Sequence, residues 1–120
     1  MNYKDIYTHL KTAGFDVYSL GQHQGECISP YLVLRNNGST DALSMTGTEY
    51  ELLLYCPVKQ YSAFEDYIES VKQHMNGLFP ALRLVGGPSV HYLDDDVKGY
   101  MTSLIYETYK LSKINRIERN

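Results

Sequence analysis

The stretch TEYELLLYC, residues 48–56, decides the fold because its side chains alternate between two faces. The even-numbered positions from Tyr50 to Cys56 are aromatic, aliphatic or thiol-bearing, which is typical of a strand with one buried face. The other face begins with two glutamates and becomes apolar at Leu53 and Tyr55. This gradient predicts an antiparallel strand whose second face is covered in part by a partner.

An amphipathic helix is predicted before this strand, at the start of the chain. Apolar residues recur at three- and four-residue spacing from Tyr3 to Ala13 and mark one buried stripe. Asn2 can cap the first turn, and Gly14 is a natural stop just beyond the last turn.

A second helix is predicted after the strand, over residues 63–76. Ser62 and Glu65 have the spacing of a capping box, in which each side chain accepts a hydrogen bond from the backbone at the helix start. Gly77 ends the helix, and Pro80 prevents its continuation.

The remaining strands are shorter or less regular, except for the last one. They are predicted at residues 15–18, 31–35, 89–93 and 100–111, while a short strand at residues 81–85 stays open and is not counted in the order of elements. The order α-β-β-β-α-β-β predicts an α+β fold, with a mixed, mostly antiparallel sheet of four to five strands and both helices packed on one face. Residues 1–111 are expected to form one domain, followed by a basic polar C-terminal tail at residues 112–120.

Two segments lack periodicity and are predicted to be loops. Residues 19–29 contain two glycines and few apolar side chains. Residues 36–47 form the longest such stretch, and loops of this length in a small domain are usually functional or mobile. Leu43 and Met45 lie within it, although a purely solvated loop does not need them.

Composition and charge exclude several classes of protein. The 120 residues contain no apolar run near membrane-spanning length, and the net charge of −3 argues against binding driven by nucleic-acid phosphates. Residues 1–109 carry 13 acidic and 7 basic side chains, whereas residues 110–120 carry four basic and one acidic. The basic end is either a solvated terminus or a segment that docks on an acidic neighbour, including another copy of this chain.

No cluster of residues points clearly to catalysis, a cofactor or a metal. His23 and Cys27 share a loop, but zinc needs two further ligands, and a nucleophile–base pair has no local signature here. The carboxylates of residues 94–96 and the glycines of residues 86–88 are explained as turns. Both cysteines are expected to be free thiols. Cys56 is predicted to be a small core residue, whereas Cys27 lies in a polar loop where it could be exposed. The sequence therefore predicts no catalytic, cofactor-binding or metal-binding residues.

The twelve tyrosines and the absence of tryptophan suggest an interface between subunits. Both faces of the strand at residues 100–111 are apolar, whereas a domain of this size is expected to have one core. A second chain would cover the remaining face, and tyrosine and methionine are enriched at such interfaces. The candidate interface residues are Leu43, Met45, Leu53, Tyr55, Tyr100, Tyr106, Tyr109, Lys113 and Arg116.

Five segments, with the order of elements around them, carry a resemblance to a known family. They are SPYLVL at residues 29–34, EYELLLYCP at 49–57, VHYLDDD at 90–96, GY at 99–100 and IYE at 105–107. In this order the chain resembles the small neck proteins of long-tailed bacteriophages, above all the tail terminator or tail completion proteins, often labelled minor capsid proteins.

The resemblance implies a structural protein of the virion, assembled in the host cytoplasm, rather than an enzyme. It implies a homo-oligomeric ring, usually of six subunits, that caps the tail tube, stops its polymerisation and joins it to the head connector or stopper protein. DNA would pass through the lumen without sequence readout, and residues 36–47 would face the tube or lumen. Two alternatives stay open: another neck component such as a head-completion stopper or adaptor, and a small α+β enzyme or ligand-binding domain.

Overall fold

The computed structural model describes residues 1–111. The elements are α1 (Tyr3–Thr12), β1 (Val17–Ser19), β2 (Tyr31–Asp41), β3 (Met45–Pro57), a 3-10 helix (Val58–Ala63), α2 (Phe64–Asn76), β4 (Arg83–Gly86), β5 (Tyr92–Asp94) and β6 (Gly99–Leu111). The strands form one sheet in the order β1-β2-β3-β6-β4, and β5 pairs with β6 on the same edge as β4. Only the β1–β2 pairing is parallel.

The predicted α+β class is confirmed, with six strands instead of four or five. The predicted strand at residues 89–93 is shorter and shifted, because Ser89 instead bridges to β6 through its backbone. Its amide donates to the carbonyl of Ser103 at 3.1 Å, and its carbonyl accepts from the Thr102 hydroxyl at 2.7 Å. In the described residues 1–111, neither helix is long and apolar enough to cross a membrane.

The main core lies between one face of the sheet and both helices, and we call this side the helix face. The two helices contribute Ile6, Leu10, Phe64, Ile68, Val71 and Met75. The sheet contributes Leu32, Leu34, Tyr50, Leu52, Leu54, Cys56, Leu104 and Tyr106. Each large side chain buried here stabilises the fold by about 1.5–3 kcal/mol, so this layer supplies most of the hydrophobic driving force.

The two helix starts differ in how well the sequence predicted them. At α1 the predicted Asn2 cap is confirmed, and it is half of a capping box that was not predicted. The Asn2 side chain accepts from the Asp5 amide, and the Asp5 side chain accepts from the Asn2 amide. At α2 the predicted capping box is wrong, because Ser62 belongs to the preceding 3-10 helix. The cap residue of α2 is Ala63, which has no side-chain cap hydrogen bond.

The predicted loop at residues 36–47 is a β-hairpin. β2 continues to Asp41 and β3 begins at Met45, so only three residues turn the chain. Cross-strand side-chain bonds support these strand ends: the Ser39 and Thr48 hydroxyls lie 2.8 Å apart, and Thr46 donates to Asp41 at 2.5 Å. The stretch lacks apolar alternation, so its extended conformation leaves no periodic signal.

A second, smaller cluster lies on the opposite face of the sheet, under the loop at residues 20–30. Its residues are Cys27, Tyr31 and Val33, with Tyr18, Leu53, Tyr55 and Val97 packed against them. The expectation of an exposed Cys27 is therefore wrong, since its side chain is 3% exposed. The expectation of a single core is also wrong: the chain covers the inner part of this face with its own loop.

Candidate assembly surface

The outer halves of three strands form an arm, defined here as residues 36–49 and 107–111. β3 lies in its centre, paired with β2 on one side and with β6 on the other. The last core residues before it are Tyr50 and Tyr106, which are 4% and 2% exposed. Beyond them every residue of the arm is exposed or half-buried, because the helices pack only on the inner halves of the strands.

The two faces of the arm differ in chemistry. The helix face carries the polar residues Ser39, Asp41, Thr46, Thr48, Thr108 and Lys110. The opposite face carries Met45, Tyr109 and Leu111 at its outer end, with 41%, 50% and 43% of their surfaces exposed. Leu43 is fully exposed in the turn between β2 and β3. The arm thus ends in an apolar surface on one side only, a feature common at sites of protein contact.

Tyr109 lies against the backbone of Gly47, its register partner on β3. A Cβ atom at Gly47 would come within 2.8 Å of the tyrosine ring, so a side chain there would displace the ring. The Tyr109 hydroxyl donates to Glu107 at 2.5 Å, and this bond is the main reason that the pKa of Tyr109 is raised.

A groove of about 610 Å³ follows the opposite face of the arm. Met45 and Tyr109 line it toward the arm's outer end, and Glu49 and Glu107 line it further in. These two glutamates are direct register partners on β3 and β6, a placement in which like charges destabilise a sheet. Asn37 donates to Glu49 at 2.8 Å, and the Tyr109 hydroxyl donates to Glu107. The groove therefore has one apolar end and one acidic end.

An ion pair lies immediately inside the arm, between Arg35 and Glu51, with an N–O distance of 2.5 Å. Burial alone would raise the pKa of Glu51, but hydrogen bonds from Asn37 and Arg35 and the guanidinium charge together lower it. The pair anchors the inner end of the arm to the sheet.

We predict that the fold loses the stabilising contribution of this ion pair in acid. A carboxylate whose pKa is lowered by folding stabilises the protein above its unfolded pKa of about 4.3, and this contribution is lost as the pH falls through the lowered pKa. Unfolding free energies measured against pH should therefore fall more steeply below about pH 5 for the wild type than for Glu51→Gln. The difference should be about 1 kcal/mol or less, since the pair is partly exposed.

The matched control is Glu26→Gln, at an ion pair with Lys98 in which both side chains are mostly exposed. It should leave the acid limb of the stability profile close to that of the wild type. Identical profiles for the wild type and Glu51→Gln would contradict the assignment.

An aromatic column covers the inner part of the opposite face. The ring of Tyr31 stacks on Tyr55 at 4.7 Å and on His23 at 3.7 Å, and Tyr18 meets it edge-on at 5.6 Å. Burial, more than the neighbouring acidic groups, raises the pKa of Tyr55 to about 12. These rings pack against one another within the same chain, so they do not by themselves require a partner subunit.

The seven predicted interface residues that the structure describes separate into three groups. Leu43, Met45 and Tyr109 lie exposed on the arm. Leu53, Tyr55 and Tyr100 are half-buried against the chain's own clusters. Tyr106 is a correction: it is 2% exposed in the main core, because its position on β6 points toward the helices, so its side chain cannot reach another chain. Lys113 and Arg116 lie outside the described residues.

The alternative site at His23 and Cys27 has a different geometry from a nucleophile–base pair. The Cys27 thiol donates to the Ser29 carbonyl at 3.4 Å, while the His23 ring stacks on Tyr31. Burial, with a smaller effect from Cys56, raises the pKa of Cys27 to about 11, so the thiol stays protonated at neutral pH. Within residues 1–111 no group of three or more His, Cys, Asp or Glu side chains is placed to hold a metal ion.

Sequence reasoning missed the acidic part of the arm. Glu49 was placed on the second face of its strand, but its partner Glu107 depends on the β3–β6 register, which no local pattern reveals. Gly47 was likewise assigned to a loop, although its lack of a side chain is what admits the Tyr109 ring. The one available signal was the Ser- and Thr-rich composition of residues 39–48, since threonine is favoured in strands.

The described residues define an α+β domain, a two-helix layer on a six-stranded sheet, with an arm that leaves this layer. No protein-family model matches the chain, and none of the curated proteins matches it.

Proposed function

We propose that the protein is a structural subunit that closes the tail tube of a long-tailed bacteriophage. Copies of the chain form a ring, with six as the expected number, that ends tube polymerisation and joins the tail to the head connector or stopper protein. DNA passes through the ring without sequence readout. The proposal rests on the resemblance in the order of elements and on the geometry of the arm.

The one-sided apolar end of the arm is the observation that carries the proposal. Leu43, Met45, Tyr109 and Leu111 expose apolar surface together at the end of an element that no other part of residues 1–111 covers. Such a surface is costly in water unless a protein partner covers it, and a projecting β-hairpin is well suited to reach a neighbouring subunit or the tube.

The arm also contains the segment that the resemblance places at the tube or lumen. Residues 36–47 form the β2–β3 hairpin, with Leu43 in its turn. A hairpin held by paired strands presents these side chains at a defined position, whereas a structureless loop of the same length would lose more conformational entropy on binding.

We predict that the double variant Leu43→Asp, Met45→Lys loses assembly while it keeps the fold. Charged side chains at the end of the arm oppose the desolvation that association requires, but neither position contributes to the core. The oligomeric state is measured by size-exclusion chromatography with light scattering and by electron microscopy of rings. The variant should elute as a monomer, with a melting temperature close to that of the wild type.

The control variant is Val90→Asp, at a residue that is 88% exposed and lies outside the arm. It should assemble like the wild type. In a second measurement, protein added to polymerising tail tube protein from the same phage or prophage should shorten the tubes, and the arm variant should not. A wild-type protein that stays monomeric and leaves tube length unchanged would overturn the proposal.

A further inference from the structure

We propose that the groove on the arm binds the C-terminal segment, residues 112–120, of a second copy of the chain. This inference rests on the proposed function, because it names the contact through which neighbouring subunits join. Its argument comes from three properties: the chemistry of the groove, the sequence of the segment, and the direction in which β6 ends.

The groove presents an apolar end and an acidic end along one line. Met45 and Tyr109 lie toward the outer end of the arm. The Glu49–Glu107 pair lies four residues further in than Met45 on β3 and two residues further in than Tyr109 on β6. A suitable occupant has apolar and basic side chains at short spacing in an extended or helical segment.

The segment SKINRIERN, residues 112–120, has this composition. It contains Lys113, Arg116 and Arg119, with Ile114 and Ile117 between them, and a single acidic residue, Glu118. Every basic residue has an isoleucine one or two positions away, so a basic and an apolar side chain can enter the groove together.

The paired glutamates provide a reason for binding beyond general charge attraction. Glu49 and Glu107 face each other across β3 and β6, and their repulsion destabilises the isolated arm. A lysine or arginine placed between them replaces this repulsion with two attractive contacts. Arginine can also bind a carboxylate with two parallel hydrogen bonds.

The direction of β6 favours a groove on another copy. The strand runs outward from Glu107 to Leu111, which pairs with Met45 at the outer end of the arm. β6 therefore ends at Leu111 pointing away from its own glutamates. Nine extended residues reach about 30 Å, whereas the groove from Met45 to Glu49 spans about 14 Å, so the segment is long enough to fill a neighbour's groove.

The test uses the full chain and a carbodiimide, which joins a lysine amine to a carboxylate that it contacts. Isotopically heavy and light copies are mixed in the unfolded state, refolded together and cross-linked, and the peptides are identified by mass spectrometry. We expect heavy–light links between Lys113 and Glu49 or Glu107. Links found only within one copy would overturn the assignment to a second copy.

Charge reversal provides an independent test in solution. Lys113→Glu with Arg116→Glu should raise the dissociation constant of the assembly about three- to tenfold at low salt, as should Glu49→Lys with Glu107→Lys. Combining the four substitutions should restore most of the affinity. If the reversed groove variant does not fold, the neutral pair Glu49→Gln, Glu107→Gln replaces it, and this pair should also raise the dissociation constant of the assembly.

The matched control is Lys4→Glu with Lys59→Glu, which makes the same change in net charge at exposed sites outside the arm. It should leave assembly unchanged. Rings that form normally with reversed charges in either element, and without heavy–light links, would overturn this inference and leave the proposed function standing. A protein that forms no assembly alone or on tail tubes would contradict the proposed function itself.

Discussion

Replacing Phe64 with alanine lowers the free energy of unfolding by about 3–5 kcal/mol, the largest loss that we expect from a single side chain. Phe64 is 0% exposed at the start of α2, in the main core. Its ring lies 4.9 Å from the His91 ring and 6.2 Å from the Tyr61 ring. The substitution removes the ring's contacts with the 3-10 helix and with the segment before β5, and it leaves a cavity that a packed core cannot close.

The matched control is Phe79→Ala, which removes the same ring from a position that is 65% exposed. It should change the free energy of unfolding by about 0.5 kcal/mol or less. Urea denaturation followed by circular dichroism and by tyrosine fluorescence measures both variants, since the chain has no tryptophan. Equal losses of unfolding free energy at the two positions would contradict the placement of Phe64 in the main core.

Replacing Gly87 with alanine is expected to lower the free energy of unfolding by about 2–4 kcal/mol. The cause is the backbone conformation and backbone contacts of this residue, and not the loss of a packed side chain. Gly87 has φ +91°, in the left-handed region, and lies against β6. An added Cβ would be 2.3 Å from the Ser103 carbonyl oxygen and 3.1 Å from the Leu104 Cα. The segment would have to move away from β6 and break the bond from the Ser89 amide to that same carbonyl.

Gly25→Ala separates the two contributions to this cost. Gly25 has φ +85°, but an added Cβ there meets nothing within 4 Å. It should therefore show only the conformational cost of about 1–2 kcal/mol. Thermal unfolding of both variants measures the difference. If Gly87→Ala is as stable as Gly25→Ala, the close contact between Gly87 and the backbone of β6 is contradicted.

The helices and the long strands could be predicted because burial leaves a periodic pattern. The buried stripe of α1 is carried by Ile6 and Leu10, and the alternation in β3 by Leu52 and Leu54. These residues face one core, so their spacing in the sequence reports the geometry of the element directly.

The arm escaped prediction because nothing in the described residues 1–111 buries it. Residues 36–41 and 45–49 are extended, yet their side chains are polar or small on the helix face, and the apolar ones lie only at the outer end. Hydrophobic periodicity measures contact with a core, and an element that projects from the core has no such period. Leu43 and Met45 are recognisable in the sequence as apolar residues within a polar stretch, but their placement on a hairpin depends on strand pairing.

The tyrosine count does not by itself require an interface between subunits, because the chain buries several of these rings itself. Tyr31 and Tyr55 stack under the chain's own loop, and Tyr106 is enclosed by the helices. Tyr109 alone among the predicted tyrosines is half exposed on the arm. The sequence identified aromatic rings that are expected to be packed against other residues. Most of them pack against residues from distant parts of the same chain.

The amino-acid sequence by itself determined the α+β class, the two helices, the long strands and the basic character of residues 112–120, since each follows from local spacing or composition. Tertiary structure decided that residues 36–49 form an arm, that Cys27 is buried, and that Glu49 faces Glu107. These features depend on strand register and on loops packing across the sheet. Both are contacts between residues far apart in the chain, which no local pattern encodes.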